Sequence, residues 1–296
     1  MCVFNGEDVV REQLDALASQ KVDFSWELVV VNNRSTDSTR DVLDGVASSF
    51  PIPLAILDAN GKQGAGYARN RGAIASRGRF LAFCDADDRV GDGWLRAAHR
   101  GLADSELVGG PLRELRDPFE AGSPILAGAH LHENSFGVSI PSGNFAVRRS
   151  TYFEIGGFDE SFPPCGMEDV EFSARANRGR VSIAVVPDMT VYFRPTRSIT
   201  AILRKTYLSG QAESLLWSRY PDVFRDPGIW NDANLACRRV ASAVRNLVQT
   251  RESRHVRTGI RSAVTFGGHV VARVKQRMGA GAPAPILLSS ADDTQR

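Results

Sequence analysis

The architecture of this chain is set by nine residues, Phe80-Leu81-Ala82-Phe83-Cys84-Asp85-Ala86-Asp87-Asp88. The run starts with apolar residues, which is typical of a strand buried on both faces of a sheet. Three carboxylates follow at its end, where they repel one another unless a cation holds them. Mg²⁺ and Mn²⁺ take such oxygen ligands and share them with substrate phosphates. The run therefore predicts a buried strand ending in a metal and diphosphate site, with a solvated turn as the alternative.

Similar strands precede this run at intervals of about 26 residues. Leu28 to Val31 and Leu54 to Leu57 are short apolar runs, and helices are predicted over Glu7 to Gln20 and Tyr67 to Ser76. Alternation of strands and helices predicts an α/β fold, an open and mainly parallel sheet with helices on both faces. Ligands of such sheets bind beyond the carboxyl ends of the strands.

The composition limits the classes of protein that fit. The chain has 296 residues, 43% hydrophobic and 24% charged, which indicates a globular protein. Its apolar runs are too short to cross a bilayer, and no secretory signal is recognisable. Four scattered cysteines form no CxxC pair. We therefore expect a reduced, cytoplasmic protein without structural zinc.

Further polar groups are expected near the carboxylate end of the sheet. Asn32 and Asn33 follow the strand Leu28 to Val31, where their amides could bond a nucleobase edge. Arg69 supplies a cation on the next helix, with an ordinary surface arginine as the alternative. Glu168 and Asp169 open a helix, where capping of the helix dipole alone could explain them.

The order of these motifs resembles the family 2 glycosyltransferases of the GT-A fold, over roughly residues 5 to 197. The matching pieces are the opening Phe4 to Glu7, Asn32 to Thr39, Ala68 to Gly72 (ARNRG), Asp85 to Asp87 (DxD), Gly143-Asn144, Gly156 to Glu160 (GGFDE) and Glu168-Asp169. Each motif is weak by itself, whereas their common order is specific.

The resemblance implies transfer of a sugar from a nucleotide-diphosphate donor to an acceptor hydroxyl with inversion, in polysaccharide, glycolipid or glycoconjugate synthesis. The roles that it implies are as follows: Asp85, Asp87 and Asp88 for a divalent cation, Mn²⁺ or Mg²⁺; Asn32, Asn33, Arg69, Asp85 and Arg194 for the donor; Asp169 as general base beside Glu168; and Gly143, Asn144 and Gly166 on the acceptor side. The acceptor would be a glycan, a lipid-linked molecule or a small molecule.

Three features depart from the family pattern. The first strand is nearly absent, because the chain begins almost at the Asn5-Gly6 turn. Asn32 replaces a frequent aspartate. Phe193 lies where many relatives have a metal-ligating histidine, and for the neighbouring Arg194 surface charge is an alternative to a diphosphate contact.

The chain divides into a GT-A domain at 1–198, a basic helical segment at 199–278 and a disordered tail at 279–296. Between Asn231 and Gly281 ten lysines and arginines stand against two acidic residues. Residues 235–278 could therefore lie peripherally on an anionic membrane surface, although packing as a helical subdomain is the interpretation that we favour. Nucleic-acid binding is not expected, because few aromatic residues are interleaved with the arginines.

Two further functions remain open. A catalytically silent GT-A domain would bind nucleotide sugars or serve as an assembly subunit. A nucleotidyltransferase would release pyrophosphate and usually carries a glycine-rich phosphate loop near the amino terminus, which is not visible here. Acceptor contacts are expected from Leu112 to Pro141 and from Phe162 to Met167.

Overall fold

A computed structural model describes residues 1–125, 132–134, 137–250 and 253–293. The chain forms two compact units. The first comprises Met1–Glu160, Glu168–Pro195 and Ile286–Arg296, and the second comprises Ser161–Met167 and Thr196–Pro285. Part of the segment Leu112 to Pro141, from which acceptor contacts are expected, lies outside the described residues, at 126–131 and 135–136.

The first unit is an α/β structure, as predicted. Its strands are β1 (Cys2–Val3), β2 (Leu28–Asn32), β3 (Leu54–Asp58), β4 (Phe80–Cys84), β5 (Arg89–Val90), β6 (Leu107–Gly109), β7 (Leu112–Glu114), β8 (His132–Asn134), β9 (Gly137–Ser139), β10 (Asn144–Arg148), β11 (Ile183–Val185) and β12 (Val191–Phe193). Its helices are α1 (Val10–Ala18), α2 (Thr39–Ala47), α3 (Ala65–Ala75), α4 (Trp94–Asp104), α5 (Arg149–Ile155) and α6 (Glu168–Arg178).

Strands β1, β2 and β3 form a parallel sheet with β2 in the centre. Every residue of β2 is buried, in agreement with its continuous apolar run. Strand β1 is short, and within this sheet its two residues pair with Val31 and Asn32 of β2. A cavity of about 450 Å³, lined by Val29 and Phe80 among others, lies beside β2 and extends to β4.

The second sheet has the order β11-β6-β10-β4. Strand β10 runs antiparallel to both β4 and β6, so the sheet is not wholly parallel. A parallel bridge between Cys2 and Asp85 joins β1 to the end of β4. The carboxyl ends of β2 and β4 therefore meet at one edge, where the sequence analysis places the chemistry.

An aromatic core lies beneath that edge. The rings of Phe83 and Phe145 stack with their centroids 4.5 Å apart, and Phe158 stacks on Phe172 at 4.9 Å. Side chains packed in this way hold β4, β10 and α6 together as one rigid group.

The second unit is helical, as predicted for the segment after residue 199. It contains α7 (Ile199–Arg219), α8 (Ile229–Thr250), α9 (Ser253–Lys275) and a π-helical turn at Gln276–Ala280. Helices α7 and α9 approach closely because Gly210 and Gly268 face each other's backbone. A Cβ at Gly210 would lie 2.4 Å from the Thr265 carbonyl oxygen. In the part of the chain that the structure describes, no helix is long and apolar enough to cross a membrane.

The end of the chain differs from the expected disordered tail. The Leu288 amide donates to the Gly156 carbonyl, 2.8 Å away, and the Glu160 amide donates to the Ile286 carbonyl at 2.9 Å. Leu288 is buried, and a last short helix, α10 (Ser290–Asp293), follows. Burial of Leu288 and these backbone hydrogen bonds offset part of the cost of ordering the segment, whereas Ile286 and Leu287 are exposed.

Candidate active site

The three aspartates after β4 have different surroundings. Asp87 is exposed, whereas Asp88 is buried and accepts a hydrogen bond from the Arg194 amide at 2.9 Å. Burial, together with the charges of Asp87 and Asp85, raises the pKa of Asp88 well above its usual value. Burial and its acidic neighbours therefore disfavour the charged form of Asp88.

Arg69 connects the two acidic motifs. It is buried on α3, and its guanidinium donates to Asp85 at 2.7 Å and to Glu168 at 3.3 Å. Although burial opposes the charge, Asp85 and the other neighbouring negative groups hold the pKa of Arg69 well above its usual value. The carboxyl end of β4 and the start of α6 are thus brought into one site.

Asp169 lies in the first turn of α6. One carboxylate oxygen accepts from the Val170 amide at 2.9 Å, and the other faces the Ser142 amide at 3.5 Å. Partial burial disfavours the charge of this carboxyl, and Glu168 adds a like charge, so the pKa of Asp169 rises to about 6. A carboxylate of this kind accepts a proton readily near neutral pH.

The turn before β10 passes between these carboxylates. A Cβ at Gly143 would lie 2.8 Å from Asp85 Oδ2 and 3.6 Å from Asp88 Oδ2, so only glycine leaves the aspartates undisturbed. Since Ser142 faces Asp169, this turn contacts both acidic motifs.

The side chain of Asn144, which was predicted on the acceptor side, is bonded to other parts of the protein. Its side chain is fully buried and accepts from Trp94 Nε1 at 2.8 Å. Its amide group donates to the carbonyls of Pro111 and Met189. Because all of these partners belong to the protein, Asn144 fixes the start of β10 and thereby the turn that contains Gly143.

Asn33 is likewise engaged with backbone. It donates to the carbonyls of Ala59 and Lys62 at 2.6 and 2.8 Å and accepts from the Gly64 amide at 2.8 Å. The side chain therefore holds the loop between β3 and α3 and is not directed to a donor base as predicted.

Asn32 retains a group for a ligand. Its amide nitrogen donates to Asp58 at 2.8 Å. Its Oδ1 is buried and has no hydrogen-bond partner among the described residues. The sequence analysis missed Asp58, although β3 ends there beside β2, and two parallel neighbours present their last residues at the same edge.

Arg194 braces the aspartate turn. Besides its amide bond to Asp88, its guanidinium donates to the Asp87 carbonyl at 2.9 Å and pairs with Glu12 of α1. Glu12 was not predicted, because nothing in the sequence relates it to a residue 182 positions away. The neighbouring Phe193 is half-buried at the end of β12.

The ARNRG and GGFDE motifs bind each other. Asn70 is fully buried, donates to Glu160 at 2.9 Å and accepts from the Phe158 amide and from the Tyr152 hydroxyl. These bonds fix the helix that carries Arg69. Gly166 belongs to the helical unit, where it has a φ of +104° and contacts Ser209.

The acidic turn fits a divalent cation, although no cluster of three metal-ligating side chains forms within the described residues. Ions such as Mn²⁺ usually need only one or two protein carboxylates when substrate phosphates complete the ligand set. Asp87 is exposed, and Asp85, Asp87 and Asp88 place three carboxyl groups on one turn, where such an ion would offset their mutual repulsion.

The model of the family described as glycosyl transferase family 2 matches residues 1–152. Glycosyltransferase AglE of Haloferax volcanii is 24% identical over 225 residues, which cover 73% of this chain and 72% of the relative. Two further curated glycosyltransferases, EpsH of Bacillus subtilis and a poly(ribitol-phosphate) beta-glucosyltransferase of Bacillus spizizenii, match over 90 residues, which are 25% and 14% of their length.

Two solved structures share the fold. The mannosyltransferase PcManGT from Pyrobaculum calidifontis, in complex with GDP-Man and Mn²⁺, superposes with a TM-score of 0.57 at 17% identity, covering 94% of this chain and 85% of that one. TarS 1–349 of S. aureus, in complex with UDP-GlcNAc, gives a TM-score of 0.56 at 16% identity, covering 94% and 90%. The likeness confirms the predicted GT-A fold.

Proposed function

The chain belongs to glycosyl transferase family 2, and from this premise we propose that it moves a sugar from a nucleotide-diphosphate donor to an acceptor hydroxyl with inversion. The contact of Arg69 with both Asp85 and Glu168 carries the proposal, since it gathers the donor-side and acceptor-side carboxylates into one site. The solved relatives bound to GDP-Man and UDP-GlcNAc support a nucleotide-sugar donor.

The donor would lie along the carboxyl ends of the strands. The unpaired Oδ1 of Asn32 is suited to accept a hydrogen bond from the base. Asp85 and Asp87 would hold Mn²⁺ or Mg²⁺ with the diphosphate, and Asp88 would assist from its buried position. When bound, the ion offsets the negative charge that develops on the leaving diphosphate.

Asp169 would act as the general base. The acceptor hydroxyl gives its proton to this carboxylate while its oxygen bonds to the anomeric carbon, and the bond from that carbon to the diphosphate breaks on the opposite face. Arg69 keeps Glu168 beside the base, and the Ser142 amide orients Asp169. A single displacement of this kind inverts the configuration and needs no covalent intermediate.

The biological setting is part of the same proposal. We place the reaction in the cytoplasm, where the four free cysteines stay reduced, in the synthesis of a polysaccharide, glycolipid or other glycoconjugate. The acceptor, a glycan, a lipid-linked molecule or a small molecule, would be brought to the site by contact of the basic segment 235–278 with a membrane.

A donor panel tests the activity. The protein is incubated with nucleotide sugars and Mn²⁺ or Mg²⁺, and the products are identified by mass spectrometry. We expect release of nucleoside diphosphate, and Asp85→Asn should reduce it at least about a hundredfold while Asp104→Asn, an exposed control, leaves it unchanged.

Other outcomes separate the alternatives. Thermal stabilisation by a donor without release of nucleoside diphosphate would indicate a silent binding subunit. Release of pyrophosphate would indicate a nucleotidyltransferase. Retention of the anomeric configuration would contradict the role of Asp169 as base.

A further inference from the structure

The charge of the molecule is divided unevenly between its two units. The helical unit, residues 161–167 and 196–285, contains fifteen lysines and arginines and only five acidic residues. The rest of the chain carries more acidic than basic residues, and the net charge of the whole is +2. The helical unit is therefore a strongly cationic body, which attracts anionic surfaces.

Helix α8 has two distinct faces. Asp232, Ala236 and Ala243 are buried on one side, and a Cβ at Gly259 of α9 would lie 3.0 Å from the Ala243 side chain. This side packs inside the helical unit. The other side is exposed and is available for a partner.

The exposed side of α8 has a regular pattern, which we call the outer face. Trp230, Cys237 and Val244 recur every seven residues, that is, every two turns, and all three are exposed. Arg238 and Arg245 follow the second and third of these by one position and are exposed as well. The outer face is thus an apolar stripe beside a basic stripe.

Its side chains have features of an interfacial helix. Trp230 is 85% exposed and Val244 is 56% exposed. Within the described part of the chain, neither Arg238 nor Arg245 has an ion-pair partner. A tryptophan and arginines on one face match the boundary of a bilayer, where rings lie at headgroup depth and guanidinium groups bind phosphates.

We propose that the outer face of α8 binds the surface of an anionic phospholipid bilayer. Charge complementarity favours an anionic bilayer over a second copy of the chain. In a symmetric contact with a second copy, the same arginines would lie against one another and repel. A single-stranded nucleic acid needs successive aromatic residues for stacking, and Trp230 is the only one on this face.

This inference rests on the membrane contact of residues 235–278 in the proposed function and deepens it. Binding to a bilayer does not require sugar transfer, so the inference can fail while the donor panel succeeds. It narrows the membrane contact of the basic segment to one helix. It also adds Trp230, which lies outside the segment predicted from the sequence.

Vesicle flotation with the full chain tests the inference. Vesicles of phosphatidylcholine with phosphatidylglycerol are compared with phosphatidylcholine alone, at low and high salt. We expect binding to the anionic vesicles only, and weaker binding at high salt. Since one arginine near a charged bilayer contributes a factor of about five, Arg238→Gln with Arg245→Gln should weaken binding about 25-fold.

A matched control removes the same charge elsewhere. Arg204 and Arg225 are exposed in the helical unit but lie outside α8. The variant Arg204→Gln with Arg225→Gln should weaken binding less than about threefold. Equal losses in the two double variants would show that net charge alone is responsible and would overturn the assignment to α8.

The fluorescence of Trp230 gives a measurement that does not depend on net charge. Brominated lipids quench a tryptophan that enters the headgroup region, so we expect quenching that Trp230→Phe abolishes while the protein still binds. Absence of binding to anionic vesicles would overturn the proposal. So would a concentration-dependent dimer that disappears in the Arg238→Gln and Arg245→Gln variant.

Discussion

Two buried charged clusters in this molecule are built from the same kinds of groups and behave in opposite ways. In the helical unit, His269 lies 2.7 Å from Asp232 and 3.0 Å from Glu213, and Arg273 pairs with Asp232 and Asp226. Although burial opposes the charges, these contacts raise the pKa values of His269 and Arg273, and Arg273 lowers that of Asp226. The charged form of each of these groups is favoured.

In the candidate active site, the charged forms of two acidic groups are disfavoured. Arg69 pairs with Asp85 and Glu168, and the pKa values of the neighbouring acids Asp88 and Asp169 are raised. The fold therefore holds these two acids in surroundings that disfavour their charge. The first cluster is a structural connection between helices, whereas the second stores unfavourable charge that a substrate or ion can relieve.

The largest effect is expected from Asp169→Asn. The variant cannot accept the acceptor's proton, so turnover should fall about a thousandfold. The variant should be at least as stable as the parent at pH 7.5, because the raised pKa means that the ionised Asp169 destabilises the fold above about pH 6.

Turnover is measured as release of nucleoside diphosphate, and stability is measured by thermal unfolding. Asp104→Asn makes the same change at an exposed position and serves as the control. Unchanged turnover in Asp169→Asn would remove the distinction between the clusters.

In the helical unit, Asp232→Asn should lower the stability and leave turnover unchanged. Removal of this buried carboxylate leaves His269 and Arg273 without their common partner, at a cost of about 3 kcal/mol in the free energy of unfolding of the helical unit. Sugar transfer by the protein that remains folded should be unchanged. Chemical denaturation and a turnover assay below the unfolding transition test this, and a loss of turnover without a loss of stability would contradict it.

The smallest effect concerns pH. The pKa of His269 is raised in the folded state, so its contribution to stability is complete below about 6.5, the unfolded value, and is lost as pH rises through the folded value. We expect a loss of stability over this range, which His269→Gln should abolish. Denaturation curves at several pH values measure it. An equal pH dependence in both proteins would exclude His269 as its source.

Local patterns predict much of the first unit. Helix α3 and strand β4 lie close to where the sequence predicts them, because each depends on residues that are close in sequence. Asp85 and Glu168, which Arg69 connects, are far apart in the chain, and only the resemblance indicated that they belong to one site.

Long-range partners could not be predicted. Asn33 and Asn144 are bonded to backbone from distant loops, and Glu12 meets Arg194 only through the fold. Polar residue type alone does not tell a side chain that binds a ligand from one that binds a carbonyl. Asp58 is the exception, because the alignment of strand ends would have indicated it.

The return of the chain to the first unit has a consequence for proteolysis. The helical unit is an insertion, with chain on both sides of it held by the α/β unit, at Pro195 and through Leu288 on Gly156. A protease that cuts within residues 196–285 would produce two fragments that stay associated under native conditions and separate only in denaturant. A shortened variant should therefore join residue 195 to residue 286 through a linker and keep the terminal segment.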